Sequence, residues 1–172
     1  MRYRTPTKGY IEDGIGFIPL SRGMVATVDA DLLPDLEQHN WHACKGGNGS
    51  SSFYAWRRVK GGQGRVAMHR YVLGVSGSGV VVDHINHDTL DNRRSNLRVA
   101  TPAQNGQNCR ISVANKSGYK GVCWDSTNQK YLAVIRHNGK HIHLGRRATA
   151  EEAYKLYREA ATRLHGEFAC EK

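Results

Sequence analysis

The stretch Val80–Asn105, "VVVDHINHDTLDNRRSNLRVATPAQN", opens on an apolar run, sets Asp83 beside His84, and returns asparagine at 86, 92, 96 and 105. The apolar run reads as a strand, "LRVA" as a second, and the polar residues between them as a loop. Thr101 is then an N-cap, with Pro102 at the first helical position and Gln104 three residues after the cap, a capping box that starts a helix. The segment therefore reads as strand, loop, strand, helix.

Its chemistry follows from the spacing. Neighbouring side chains of a strand point to opposite faces, so Asp83 and His84 divide the labour: one binds a metal and the other handles a proton. Asn96 lies twelve residues after His84, and Asn105 nine further on, in the first turn of the capped helix. A hairpin folded against that helix would bring Asp83, His84 and Asn105 together and leave Asn96 to tie the loop backbone. An Asp carboxylate and an Asn carbonyl suit one hard divalent cation, Mg2+ or Mn2+, which keeps waters and takes up a phosphate oxygen. A neutral imidazole beside it can deprotonate water near pH 7. Alone, an Asp-His pair in a loop reads equally as a turn acid beside a surface imidazole; the joint spacing selects the site.

The rest of the chain says what such a site would act on. At 172 residues with 39% hydrophobic content, the chain holds one ordinary domain or two to three small modules that lean on a neighbour or ligand. A net charge of +10 points to a polyanionic partner. The charge is uneven: Glu12–Glu37 holds six acids and one base, Arg22, whereas Gly106–Thr149 holds eight bases and one acid, Asp125. The second half is the electrostatic footprint for phosphates.

Cys44, Cys109, Cys123 and Cys170 are far apart with no C-x-x-C pair, so no zinc and no disulfide framework is expected, only reduced thiols. No run approaches a membrane span, and "MRYRTPTKGY" lacks the apolar core of a signal peptide. A cytoplasmic protein is expected, without membrane association or a small-molecule cofactor.

Ahead of the opening segment, "GFIPLSRGMVATVD", "FYAWRR" and "RVAMHRYVLG" read as strands of a β-rich module, which also reaches DNA through Arg57, Arg58 and Lys60. The tract "GGNGSSS" reads as a mobile hairpin loop rather than a phosphate cradle, because no Lys-Ser/Thr follows it. After the linker "ANKSG", "YKGVCW", "YLAVIRHNG" and "KHIHLG" are three short strands with "DSTNQ" and "HNGK" as turns. The final helix starts at the Thr149/Glu152 capping box, carries Ala153, Leu156/Tyr157, Ala160 and Leu164 on one face, and stops at Gly166. Strict alternation sends Leu132, Val134 and Arg136 to one side of the middle strand and Tyr131, Ala133 and Ile135 to the other. Which side faces a ligand stays open at this point.

The motifs Met68-His69-Arg70 on a strand, Asp83-His84-Ile85-Asn86, Asp91-Asn92-Arg93 through Asn96-Leu97-Arg98, and Thr101 to Asn105 resemble the HNH (ββα-metal) endonucleases over residues 66–108. They are most similar to the phage-borne subgroup related to intron-encoded homing nickases. The resemblance implies His84 as general base, Asp83 and Asn105 as ligands of a single divalent ion, and Asn96 as the structural asparagine of the catalytic set. His69 either assists at the metal or a phosphate, or is a half-buried strand histidine bonded to backbone. Arg70, Arg93 and Arg98 are candidate DNA contacts. His87 stands where the family has a glycine, in a turn that favours left-handed backbone.

The segment from Ser117 to Ala169 resembles the Apetala/ethylene-response-factor DNA-binding domain, in which a three-stranded sheet lies in the major groove and a helix backs it. That resemblance makes Lys120, Trp124, Lys130, Arg136, Lys140 and His143 candidates for duplex binding. Cys123 and Tyr131 depart from its arginine and tryptophan, which removes a strong base contact of about 1–3 kcal/mol.

The fold expected is α+β: a β-rich module (1–65), an HNH ββα-metal domain (66–108), a linker (109–117) and a three-stranded antiparallel sheet backed by one helix (118–172). The function expected is that of a phage-encoded, strand-nicking DNA endonuclease of the host cytoplasm acting on double-stranded DNA, as monomer or dimer. The alternatives are a non-catalytic sequence-specific DNA-binding regulator and, third, an RNA-directed protein, for which the aromatic stacking strands are missing.

Overall fold

The structure, a computed structural model, describes residues 8–47, 51–59, 61–62 and 64–170. Lys60 and the centre of the "GGNGSSS" tract lie outside the described residues, as do the first seven residues of the chain. The fold is mixed, with several small antiparallel sheets and few helices, and it divides after Ala100 into two compact units.

In the first unit, β1 (Tyr10–Glu12), β2 (Ile15–Pro19) and β3 (Val25–Asp29) form an antiparallel meander. Asp13 and Gly14, both at positive φ, make the tight turn between the first two strands. The alternating pattern of β2 and β3 buries Ile18, Ala26 and Val28 against Leu33 and Leu36 of α1 (Leu33–Leu36). A second sheet, β4 (His42–Lys45), β5 (Phe53–Arg58) and β6 (Arg65–Ala67), adds Ala43, Ala55 and Met68 to the same core. Because β6 pairs with β5 from Trp56↔Ala67 to Arg58↔Arg65, an edge placed between residues 65 and 66 cuts through a strand.

"MHR" does not continue that strand. Met68–Val72 forms α2, a short helix that places His69 beside the core. It closes at Gly74 (φ 63°), where the N–H of Gly74 donates to Tyr71 O and that of Val75 to Arg70 O. This is a glycine-dependent helix stop, and its bonds offset the strand preference of the Tyr-Val run.

The segment that opened the sequence reading forms β7 (Val81–His84) and β8 (Leu97–Ala100), paired regularly from Val81↔Ala100 to His84↔Leu97. Its loop is held by β3: Thr27 N–H donates to Leu90 O, Asn92 N–H to Thr27 O, and Arg94 N–H to Asp29 Oδ2. The N-terminal meander is therefore a scaffold for the loop.

In the second unit, α3 (Pro102–Gln107) begins at the Thr101/Gln104 capping box. The strands β9 (Val122–Asp125), β10 (Lys130–His137) and β11 (Lys140–Arg147) form an antiparallel sheet with β10 central, and Asn138 and Gly139 (φ 47° and 76°) make its hairpin turn. The helix α4 (Ala150–His165) starts at the Thr149/Glu152 box and packs Ala153, Tyr157, Ala160 and Ala161 on Val122, Ala133 and Ile135. The register shifts at Leu144, a bulge in β11, while β10 keeps its alternation. Ala133 and Ile135 face the helix, so Lys130, Leu132, Val134 and Arg136 occupy the opposite face. No helix among the described residues is long and apolar enough to cross a membrane.

Candidate active site

His84 ends β7 with only 5% of its surface exposed, and its ring packs edge to face on His69, the centroids 5.2 Å apart. Tyr54 of β5 lies 5.8 Å from His69 and 6.0 Å from His84, so two rings from two other elements pack against the His84 imidazole. Burial pushes the His84 ring below the ordinary histidine value. The Asn92 amide and the carboxylates of Asp83, Asp88 and Asp91 pull the other way without reversing it. The ring is neutral at pH 7, as a proton acceptor must be. His69 is pushed down to about 3, by burial first and then by His84 and Arg70.

Asp83, one position earlier, faces the other side of the hairpin. Its directly opposed partner is Arg98, whose Nε and Nη2 both reach Oδ2, at 2.8 and 2.7 Å. The two side chains are 6% and 11% exposed, so the pair is internal. Arg98, read from the sequence as a DNA contact, is directed at the carboxylate instead.

Asn96 bridges the loop. Its Oδ1 accepts from Asn86 N–H (2.9 Å), its Nδ2 donates to Asp91 O (2.8 Å), and its own carbonyl accepts from Ile85 N–H. That is a positioning role for a buried amide rather than contact with reacting atoms. Asn86 Nδ2 and Arg93 also clasp the Asp91 carboxylate, and Thr27 Oγ1 adds a further bond. Burial raises Asp91, and the bonds from Arg93 and Thr27 more than offset it, leaving the carboxyl below its usual range. Arg93 is thus directed into the loop, and Arg70 binds Val80 O and Gly77 O. His87 adopts φ 64°, keeping the left-handed turn without the glycine.

Two residues without a role in the sequence reading come forward. Tyr54 had no signal, because nothing in "FYAWRR" separates a site tyrosine from a strand aromatic. Asn92 had one in its place within "DNRRSN": it is fully buried, its Nδ2 is fixed on Leu90 O, and its amide acts on the His84 ring.

Asn105 lies in the second unit, on α3, where its N–H donates to Thr101 O. Also in that unit, Lys130, Arg136 and His143 share the sheet face that points away from α4, together with His141 and Arg146. Arg146 pairs there with Asp125 at 2.7 Å, which, with Asn128, holds that carboxyl down to about 2. Three of the sequence candidates sit elsewhere. Trp124 packs on Tyr131, on the helix side of the sheet, at 4.9 Å between ring centroids. Lys140 pairs with His137 on that same side. Lys120, half-buried, donates to Gln107 O and Cys109 O, and burial lowers its ammonium pKa.

An Asp carboxylate and an Asn carboxamide are each oxygen donors of the kind a hard cation takes. Among the described residues, no three or more His, Cys, Asp or Glu side chains are grouped to hold a metal.

A family model described as HNH endonuclease matches residues 66–107, the span from β6 through α3. The chain is 32% identical over 168 residues to a protein of Acanthamoeba polyphaga mimivirus named as an uncharacterised HNH endonuclease, covering 93% of this chain and 82% of that one. It is also 32% identical over 91 residues to Protein 3.8 of Escherichia phage T7, covering 53% of this chain and 74% of that protein. No solved structure gives a significant match. The buried His84 and Asp83 therefore lie in the segment that defines the class, and the chain belongs to the HNH endonuclease family. It is a DNA endonuclease, and HNH nucleases generally use a divalent metal ion.

Proposed function

We propose that the protein nicks duplex DNA, with His84 as general base, Asp83 and Asn105 as ligands of one Mg2+ or Mn2+, and the open face of the C-terminal sheet as its docking surface. The observation that carries this reading is the pairing of a buried, neutral His84 with a buried Asp83, held by Arg98, at the end of one strand.

The neutral ring of His84 takes a proton from water, and the resulting hydroxide attacks phosphorus as the bond to the 3′ oxygen breaks. His69 and Tyr54 pack on the ring and limit its rotation. Asn96 keeps the loop closed so that strand and loop present the ring in one geometry. When bound, the divalent ion supplies charge neutralisation at the phosphate and the leaving oxygen. A single set of groups cuts one strand, so a nick is the product of a monomer and a double-strand break needs two copies.

Lys130, Arg136, His141 and His143 on the face away from α4 support an Apetala-like mode, in which the sheet enters the major groove and the helix backs it. The relative in phage T7 supports a phage-encoded enzyme; the homing type and action in the host cytoplasm belong to the same proposal. The test is supercoiled plasmid incubated with Mg2+, Mn2+ or EDTA. Metal-dependent conversion to open circles is the predicted result; linear product at the first cut, or cleavage in EDTA, contradicts it.

A further inference from the structure

Asp83 and Arg98 stand directly opposite each other in a regular two-stranded ladder, and both are almost wholly buried. Two N–H groups of one guanidinium converge on a single carboxylate oxygen, Oδ2. Such a fork fixes the rotamer of its acceptor as well as pairing its charge. The neighbouring arginines behave differently: the side chain of Arg93 is 37% exposed and that of Arg94 is 47% exposed, each on a loop or strand-end carboxylate. Arg98 alone among these three is closed off from solvent on a residue next to the base.

We propose that Arg98 is the positioning residue of the metal ligand Asp83, holding its carboxylate in one rotamer before a divalent ion reaches it, and that it is not a DNA contact. The proposal rests on the reading of Asp83 as a ligand. A guanidinium in this place has two effects. It keeps the hairpin intact without metal, because a buried carboxylate is otherwise uncompensated. It also turns ion binding into a step that needs no rearrangement of the carboxylate, as partners behind metal ligands do elsewhere. Lysine keeps the charge but not the fork, so Arg98→Lys separates geometry from electrostatics.

The experiment measures Mn2+ affinity by electron paramagnetic resonance, and duplex affinity in EDTA, for wild type, Asp83→Asn and Arg98→Lys. The expected result is loss of Mn2+ binding in Asp83→Asn, and binding weakened about 10–100-fold in Arg98→Lys with duplex affinity unchanged. Wild-type Mn2+ affinity in Arg98→Lys, with Asp83→Asn still defective, overturns the role of Arg98 alone. Unchanged Mn2+ binding in Asp83→Asn overturns the ligand assignment on which it rests. A second measurement needs no variant that folds: in the wild-type protein, the solvent-protected Arg98 Nε–H resonance should shift on Mg2+ addition, and a resonance unmoved at saturating Mg2+ contradicts the proposal.

Discussion

His69 and His84 meet edge to face, 5.2 Å between ring centroids; burial lowers the proton affinity of both rings, and His84 lowers that of His69 further. The family's helix residue and its strand residue form one neutral pair, and the pair has a pH signature.

In the folded protein His69 binds a proton only near pH 3, whereas an unfolded histidine does so near 6.5. The unfolded state therefore takes up protons first as pH falls. Stability is full above pH 6.5 and declines toward pH 3, by about 1.4 kcal/mol per pH unit for this group. Between pH 7.5 and 5, urea unfolding should show wild type losing about 2 kcal/mol more than His69→Gln. Equal losses would falsify the assignment of a buried neutral His69.

Asn96→Ala removes the side chain that joins Asn86 N–H to Asp91 O and leaves both groups in a largely closed loop. The expected cost is about 2–4 kcal/mol of unfolding free energy, with cleavage lost in proportion to the disordered loop. A variant as stable as wild type would show that β3, through Thr27, holds the loop without it.

Gly121 sits at φ 70°, where a Cβ would overlap the Tyr157 ring. Gly121→Ala should cost about 2–5 kcal/mol, from left-handed backbone strain and displacement of the tyrosine. The thermal transition of the purified variant measures it. A change below 1 kcal/mol on the same scale would mean that Tyr157 is free to move.

The sheet face divides the cations into two groups. Lys130→Ala and Arg136→Ala should each flatten the salt dependence of duplex binding, by about 0.9 in the slope of log K against log salt. Arg93→Ala, whose guanidinium is on Asp91, should leave the slope as it is. The reverse pattern places the DNA on the loop side instead.

Much of this was legible before any coordinates. The capping boxes at Thr101/Gln104 and Thr149/Glu152 and the Asn138-Gly139 turn are local devices, and local chemistry decides them. The Met68–Val72 helix was not legible, because Tyr71 and Val72 favour a strand and the stop at Gly74 acts only once the chain is folded. The side of β10 that holds Arg136 depended on whether a bulge falls in β10 or in β11, which no residue type announces. The pairing of Arg98 with Asp83 was not legible because the two are fifteen residues apart in sequence and adjacent only through strand register. The charge of Arg98 follows from its residue type, and the ladder decides its direction.

The central claim is that His84 is the base. Single-turnover cleavage of a nickable duplex in Mn2+ should fall about 10²–10⁴-fold in His84→Ala, while Mn2+ and duplex affinities stay at wild-type values. A cleavage rate within a few-fold of wild type would contradict the account and move the proton transfer away from this ring.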